Sequence, residues 1–261
     1  GTDQLGRDML DRMMSAGQVS LAVGFIAMMI AIFFGTFIGI LAGYFKRLDG
    51  PLMRLTDMFL ALPLIPLLLV MVMLFRDRIA GLVGPEMGAF LLIVFAIGVT
   101  SWMQAARIVR GEVLALKERE YVLAARSIGA IPRRIILRHI LPNVTHIILI
   151  TFVLDFSALV LAEAVLSYIG VGIDPNMASW GNMINGARTE LSREPAVWWT
   201  LTGAFFFMFV LVLAANLIHG QFTAEGGAFY ELGGTVDVRF ATVYRNSVTS
   251  SSGTGAAAGS S

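Results

Sequence analysis

The chain has 261 residues, 57% of them hydrophobic and 14% charged, with a net charge of +1 and no cysteine. An ordinary soluble domain carries about 25% charged residues, so a water-soluble fold of this length has no way to hide so much apolar surface. Without cysteine, disulfides, thiolate metal sites and cysteine nucleophiles are excluded.

The opening GTDQLGRDML has neither a Met nor an apolar run behind a basic start, so no secretory leader is read there and these residues are not taken as the natural start. A membrane-crossing helix needs roughly 20 apolar residues. Uncharged runs of about this size occur at Val19–Phe45, Met58–Phe75, Met87–Ala106 and Ala196–Ile218, and a fifth, Val144–Ile169, carries Asp155 and Glu163. The expectation is an all-α, polytopic transmembrane helical bundle of five spans over residues 1–218.

Loop charge gives the orientation. Lys46, Arg47, Arg54, Arg107, Arg110, Lys117, Arg119, Arg126, Arg133, Arg134 and Arg138 fall on one side; Arg7, Arg12, Arg76, Arg78, Arg188 and Arg193 fall on the other. The positive-inside rule places the first, larger set in the cytoplasm and the N-terminus outside. An outside start without a leader implies a further helix upstream, a sixth span.

In the first span Ala27, Ala31, Gly35, Gly39 and Gly43 recur at every fourth residue. Such a ridge lets another helix approach closely; packing within the chain is preferred to a subunit contact. The second span, beginning MRLTDMFLALPLIP, has Asp57 in its expected first turn, where a negative charge complements the helix dipole. Pro63 and Pro66 should bend it.

Asp155 and Glu163 are the sharpest polar features of the fifth run. Each acidic group at mid-bilayer costs on the order of 2.5–3.5 kcal/mol on insertion scales. Eight residues apart, they lie roughly 12 Å apart along a helix and about 80° around it, so both can face one sector of the bundle. They are candidates for lining a translocation pathway. The competing reading makes both structural hydrogen-bonders; it is preferred for Glu163 and even for Asp155. Between this run and the last span, the loop from Ser167 to Val197 is too long for a simple connector. It is either a short helix at the outer mouth of a pore or an interfacial loop anchored by Trp180. After Ile218 the periodicity stops, and residues 219–261 read as an atypical tail, disordered or artefactual.

No GxxxxGK[ST] phosphate loop and no HExxH occur, and His139, His146 and His219 have no ligand set around them. No metal site and no enzyme activity are expected. Transport, structure or recognition remains.

The central stretch EYVLAARSIGAIPRRIILRHILPN gathers Arg126, Arg133, Arg134 and Arg138 around Gly129 and two prolines. It predicts a helix ended by Gly129 at positive φ and a second helix opened by Pro132. That makes two short helices with a rigid elbow, presenting Leu123, Ala124, Ala125 and Ile128 beside arginines. Anionic lipid heads would account for the arginines but not for the small residues, the Gly and the Pro.

This stretch resembles the signature loop of ABC importer membrane subunits: Glu-Ala-Ala, three residues, Gly, nine residues, Ile, one residue, Leu-Pro. Here Leu123-Ala124-Ala125, Gly129 and Leu141-Pro142 stand at the matching positions, with Leu123 in place of Glu and His139 in place of Ile. GTDQLGRDML, AGYFKRLDGPLMRLTDMFLALP and LSYIGVGIDPNMASWGNMI are similar to the second-type permeases of dipeptide, oligopeptide and nickel uptake systems. The resemblance covers residues 1–216.

It implies a multi-pass permease of a prokaryotic cytoplasmic membrane, importing di- or oligopeptides, with nickel or another small solute as the alternative. The implied partners are a homologous permease, two cytoplasmic ATPases and an external solute-binding protein, besides membrane lipid; no nucleic acid is expected. ATP and Mg would act in the ATPase, with no cofactor on this chain. Leu123, Ala124, Ala125, Ile128, Gly129, Leu141 and Pro142 would form the ATPase-docking coupling loop. The resemblance also implies a helix before the first residue and a short cytoplasmic end, which HGQFTAEGG does not match. Outside the family, a proton-coupled secondary transporter would use Asp155 and Glu163 as carriers, but it leaves the central loop unexplained and no inverted repeat is evident.

Overall fold

Helices account for all the regular structure in the computed structural model, which describes residues 8–191 and 198–232, and side chains among them except at 189–191 and 221–232. The first helix, α1 (Met9–Tyr44), starts at Asp8, whose carboxylate caps the Leu10 N–H at 3.1 Å. It is followed by α2 (Lys46–Leu60), α3 (Leu64–Val83), α4 (Pro85–Leu116), α5 (Glu120–Ser127) and α6 (Pro132–Ile135). A π-helical turn, Ile136–Ile140, leads into α7 (Leu141–Ile169), which is followed by α8 (Trp180–Leu191) and α9 (Trp199–Leu232).

Among the described residues, four stretches are long and apolar enough to cross a membrane: Met9–Tyr44, Pro85–Leu116, Pro132–Ile169 and Trp199–Gly220. The fifth expected span, Met58–Phe75, is not one straight helix. Chain direction turns by 87° between α2 and α3, because Pro63 sits as the extended residue before Leu64 and denies α2 a continuing N–H. Asp57 therefore closes α2 instead of opening a span. At a helix C-terminus its charge opposes the dipole, and Arg107 of α4 neutralises it through an ion pair.

The bundle is organised on α1 and α4, its most extensive helix pair. The small-residue ridge makes that contact: a Cβ on Gly35 would lie 2.6 Å from Ala105 Cβ, one on Gly39 2.8 Å from the Ala106 carbonyl oxygen, and one on Gly43 2.7 Å from Val113 Cβ. The ridge is intramolecular. Further along α1, Gly24 lies against Val160 and Phe156 of α7, so α1 is wedged between α4 and α7. The central core draws Val23, Ala27 and Met28 from α1, Leu68 and Val72 from α3, Leu92, Ile93 and Ile97 from α4, and Leu159 from α7.

Two expectations about the chain after α7 need correction. Trp180 is not an interfacial anchor: it is 4% exposed, and its indole N–H donates to the Met13 carbonyl at 3.2 Å. The loop contains a helix, α8, which packs on α7 and α1. Secondly, α9 runs on to Leu232, so residues 219–232 are helical where irregular chain was expected. Extending an existing helix costs far less than nucleating one. The remainder of the expected tail, like the predicted charges Arg7 and Arg193, lies outside the described residues.

The ridge makes a direct prediction. Gly39→Val should destabilise the chain by about 1–3 kcal/mol through overpacking. Gly111→Ala, at an exposed helical position with nothing within 4 Å of its Cβ, should be neutral or stabilising by up to about 1 kcal/mol. Unfolding midpoints of the detergent-purified variants report the difference.

Candidate functional site

The polar, conformationally special part of the chain is the elbow between α4 and α7. α5 ends in a Schellman motif: the Ala130 N–H donates to the Ala125 carbonyl at 3.1 Å and the Gly129 N–H to the Arg126 carbonyl at 3.0 Å. Gly129 takes φ 81°, a conformation costing other L-residues roughly 1–2 kcal/mol. No atom lies within 4 Å of a Cβ placed there, so backbone strain alone demands the glycine. Pro132 then opens α6, its missing N–H costing nothing in a first helical turn.

Beyond α6 the helix widens. Pro142 has no N–H and its ring crowds the carbonyl four residues back, and the Leu141 N–H bonds to the Ile136 carbonyl in π fashion. Asn143 returns its side-chain amide to the His139 carbonyl. The Leu-Pro pair thus forms the joint by which the elbow passes into α7.

The elbow has a base and a rim. Val122, Ala125, Ile135 and Ile140 are buried in one cluster with Val109, Val113 and Leu116 of α4. Two of the expected docking residues belong to this base. Ala125 is only 8% exposed, because as the third-last residue of α5 it packs under the Schellman turn beside Ala130. Leu141 is half-buried against the same cluster. Ala125 is thereby a correction to the expected exposed face.

Leu123, Ala124, Ile128, Gly129 and Pro142 are on the surface. Ile128 is 86% exposed and is joined by exposed Ile131 and Tyr121. Arg133, Arg134 and Arg138 are exposed around them, while Arg126 lies over the Tyr44 ring at 5.8 Å. Large apolar side chains standing among arginines form a patch suited to a protein partner.

Polar contacts that the sequence reading missed tie this end together. Arg110 pairs with Asp49 through Nε and, at 2.8 Å, through Nη2, and Lys117 Nζ donates to the Gly43 carbonyl at 3.2 Å. Together with Asp57–Arg107 they fasten α2 and the end of α1 to α4. In the sequence Arg107, Arg110 and Lys117 had counted only as topological charges; their pairing across 50 to 74 positions leaves no local pattern.

Asp155 and Glu163 are not brought to one surface. Glu163 is 0% exposed. It accepts from Ser20 Oγ at 3.0 Å and Ser167 Oγ at 2.7 Å, with Ser179 a third hydroxyl against it. Ser20 Oγ in turn accepts the Trp180 backbone N–H at 3.1 Å, and Ser167 Oγ the Ile173 N–H at 3.3 Å. The group is a structural knot joining α1, α7, the following loop and α8, which is the structural hydrogen-bonding role preferred for Glu163 over a place on the pathway. Asp155 is half-buried at the middle of α7, and among the described residues no hydrogen bond or ion pair holds it.

Residues 31–224 match the family described as binding-protein-dependent transport system inner membrane component. The chain belongs to that family. Among relatives, it is 39% identical over 221 residues to the dipeptide transport system permease protein DppC of Bacillus subtilis, a match covering 84% of this chain and 64% of that protein. It is 34% identical over 219 residues to the oligopeptide transport system permease protein OppC of Haemophilus influenzae, covering 84% and 66%. The chain thus spans about two thirds of the length of these family members. A solved structure of the MetNI methionine ABC transporter in an inward-facing conformation superposes with a TM-score of 0.63 at 18% identity, over 82% of this chain and 95% of that one. At that identity the likeness establishes the permease fold alone.

Removing the Glu163 carboxylate strands several buried hydroxyls. Glu163→Ala should cost about 3 kcal/mol and shift Trp fluorescence to longer wavelength as Trp180 meets solvent. Glu163→Gln, which keeps one acceptor while the serine hydroxyls re-orient, should cost about 1 kcal/mol. Denaturation followed by intrinsic fluorescence checks both.

Proposed function

We propose that the chain is a membrane-spanning permease subunit of an ATP-driven, binding-protein-dependent importer of di- or oligopeptides, and that the α5–α6 elbow is where it engages a cytoplasmic ATPase. The observation that carries this reading is the elbow itself. Ile128, Leu123 and Ile131 protrude from a backbone locked by Gly129, over a base buried against α4 and α7. A surface held this rigidly and left this apolar is suited to fit a groove and move with it. The substrate class rests on the peptide-permease relatives. In this reading the chain works beside a homologous permease, two ATPases and an external solute-binding protein, in the cytoplasmic membrane of a prokaryote. ATP and Mg are handled by the ATPase.

Rim and base separate experimentally. Ile128→Glu changes only the exposed rim and should leave the chain inserted at normal abundance while cutting recovery of the ATPase in a pull-down at least tenfold. Ala125→Glu puts a charge into the base and should lower the abundance of the folded chain itself. Equal ATPase recovery with wild-type and Ile128→Glu chains, together with normal peptide uptake, would reduce the elbow to a basic connector.

The same reading puts Asp155 on the translocation pathway. A mid-span carboxylate facing lipid would cost on the order of 2.5–3.5 kcal/mol, and no group among the described residues compensates it. The face bearing Asp155 is therefore assigned to water or to the second permease. In the assembled transporter, Asp155→Cys should react with a water-soluble thiol reagent, and peptide substrate should slow that reaction. Labelling solely by a lipid-soluble reagent is the contrary result.

A further inference from the structure

α2 lies across the bundle instead of along it. α3 returns alongside α4 through Gly84, with Gly88 against Ala80 and Leu68 and Val72 in one core with Leu92 and Ile97, and α2 meets α3 at 87°. The ion pairs agree with that angle. Asp49 and Asp57 are eight residues apart, roughly 12 Å along α2, yet their partners Arg110 and Arg107 stand within one turn of α4. Both ends of α2 are thus held at one depth. Arg107 is the first charge after the uncharged run Met87–Ala106, so that depth is the boundary between hydrocarbon and cytoplasm.

At about 100° per residue, α2 divides into sectors. Asp49, Thr56 and Leu60 make the sector packed on α4. Leu48, Leu55 and Phe59 make the next, and all three are exposed. The Phe59 ring lies 6.4 Å from that of Trp102, which precedes Arg107 on the hydrocarbon side, so this apolar sector is directed into the membrane. Exposed Arg47, Arg54 and Met58 follow, on the side away from α4. Arg47-Leu48 is repeated as Arg54-Leu55, seven residues or roughly 10 Å along the helix. The acids of α2 do not answer these arginines, because Asp49 and Asp57 are taken by α4. Neither Arg47 nor Arg54 has a hydrogen bond or ion pair among the described residues.

A helix lying in the interface, apolar toward the acyl chains and cationic at its edge, is built to hold lipid. The occupant must be apolar where it meets Leu48 and Leu55 and anionic one residue away, at the depth where headgroups begin. A phospholipid has both parts in that order along the membrane normal. We propose that α2 binds anionic phospholipids of the cytoplasmic leaflet, with headgroup phosphates at Arg47 and Arg54 and acyl chains against Leu48 and Leu55. Each guanidinium has five N–H donors for phosphate oxygens, and one basic residue near a membrane surface favours an anionic over a zwitterionic lipid by about fivefold. The inference is independent of the importer reading.

The test places a photo-cross-linking residue at Met58, 70% exposed beside the two arginines, in the full chain. The chain is reconstituted in vesicles of phosphatidylcholine with phosphatidylglycerol, and the captured lipid is identified by mass spectrometry. Phosphatidylglycerol should be captured at least about fivefold over its share in the vesicle. Arg47→Gln with Arg54→Gln should abolish that enrichment at unchanged protein abundance, since neither side chain has a contact to lose. Arg47→Lys with Arg54→Lys should keep most of it. Undiminished enrichment in the double Gln variant would overturn the proposal. So would capture of a polypeptide in place of lipid when the same cross-linker is activated in cell membranes.

Discussion

Three glycines without room for a methyl group determine how this bundle assembles. Gly35, Gly39 and Gly43 bring α1 against α4 so closely that any Cβ would meet backbone or Cβ atoms at 2.6–2.8 Å. In lipid no hydrophobic force draws helices together, and association depends on close packing and on hydrogen bonds between helices. The α1–α4 contact supplies the first. It also fixes where Tyr44, at the end of α1, stands relative to Lys117 and Arg126, at the end of α4 and in α5. The elbow is therefore placed by the ridge, through a packed pair of long helices, before any of its own contacts are counted.

Hydrogen bonds supply the second. Ser20, Ser167 and Ser179 gather on Glu163, and the Ser20 and Ser167 hydroxyls also accept from the backbone of Trp180 and Ile173, so the loop after α7 is held by the same carboxylate that joins α1 to α7. A charged or protonatable group buried in an apolar bundle is costly unless its oxygens are occupied, and here they are. Asp155 is the opposite case on the same helix. Among the described residues no group meets its oxygens, which is the physical ground for reading it as facing something outside that set.

How much of this was legible in the sequence depends on the range of the interaction. The glycine ridge, the Gly129 turn and the Pro132 start are local signals with local causes, and each has its expected form. Asp57 was misread because the sequence shows an uncharged run from Met58 but not the 87° turn at Pro63 that gives Asp57 to a different helix. The adjacent alanines illustrate a finer limit. Ala124 and Ala125 are equivalent in any composition, yet successive helix positions differ by about 100°, and only the second points into the base. The Asp49–Arg110 and Ser20–Glu163 pairs lie 61 and 143 residues apart, and nothing short of the fold announces them.

The separation of the elbow into base and rim has a mechanical consequence. Val122 and Ala125 pack with Val113 and Leu116 of α4, with Ile135 of α6 and with Ile140 before α7. A displacement applied to the rim is thereby delivered to two membrane-crossing segments at once. Three devices limit how much of it is lost within the elbow: the Schellman hydrogen bonds fix the exit from α5, Pro132 fixes the entry to α6, and Pro142 holds the π turn open. Close-packed cores respond to load by shifting between discrete arrangements and not by continuous deformation. A partner docked on the rim at Ile128 would accordingly move α4 and α7 as a unit. The half-buried Asp155, midway along α7, would travel with that unit.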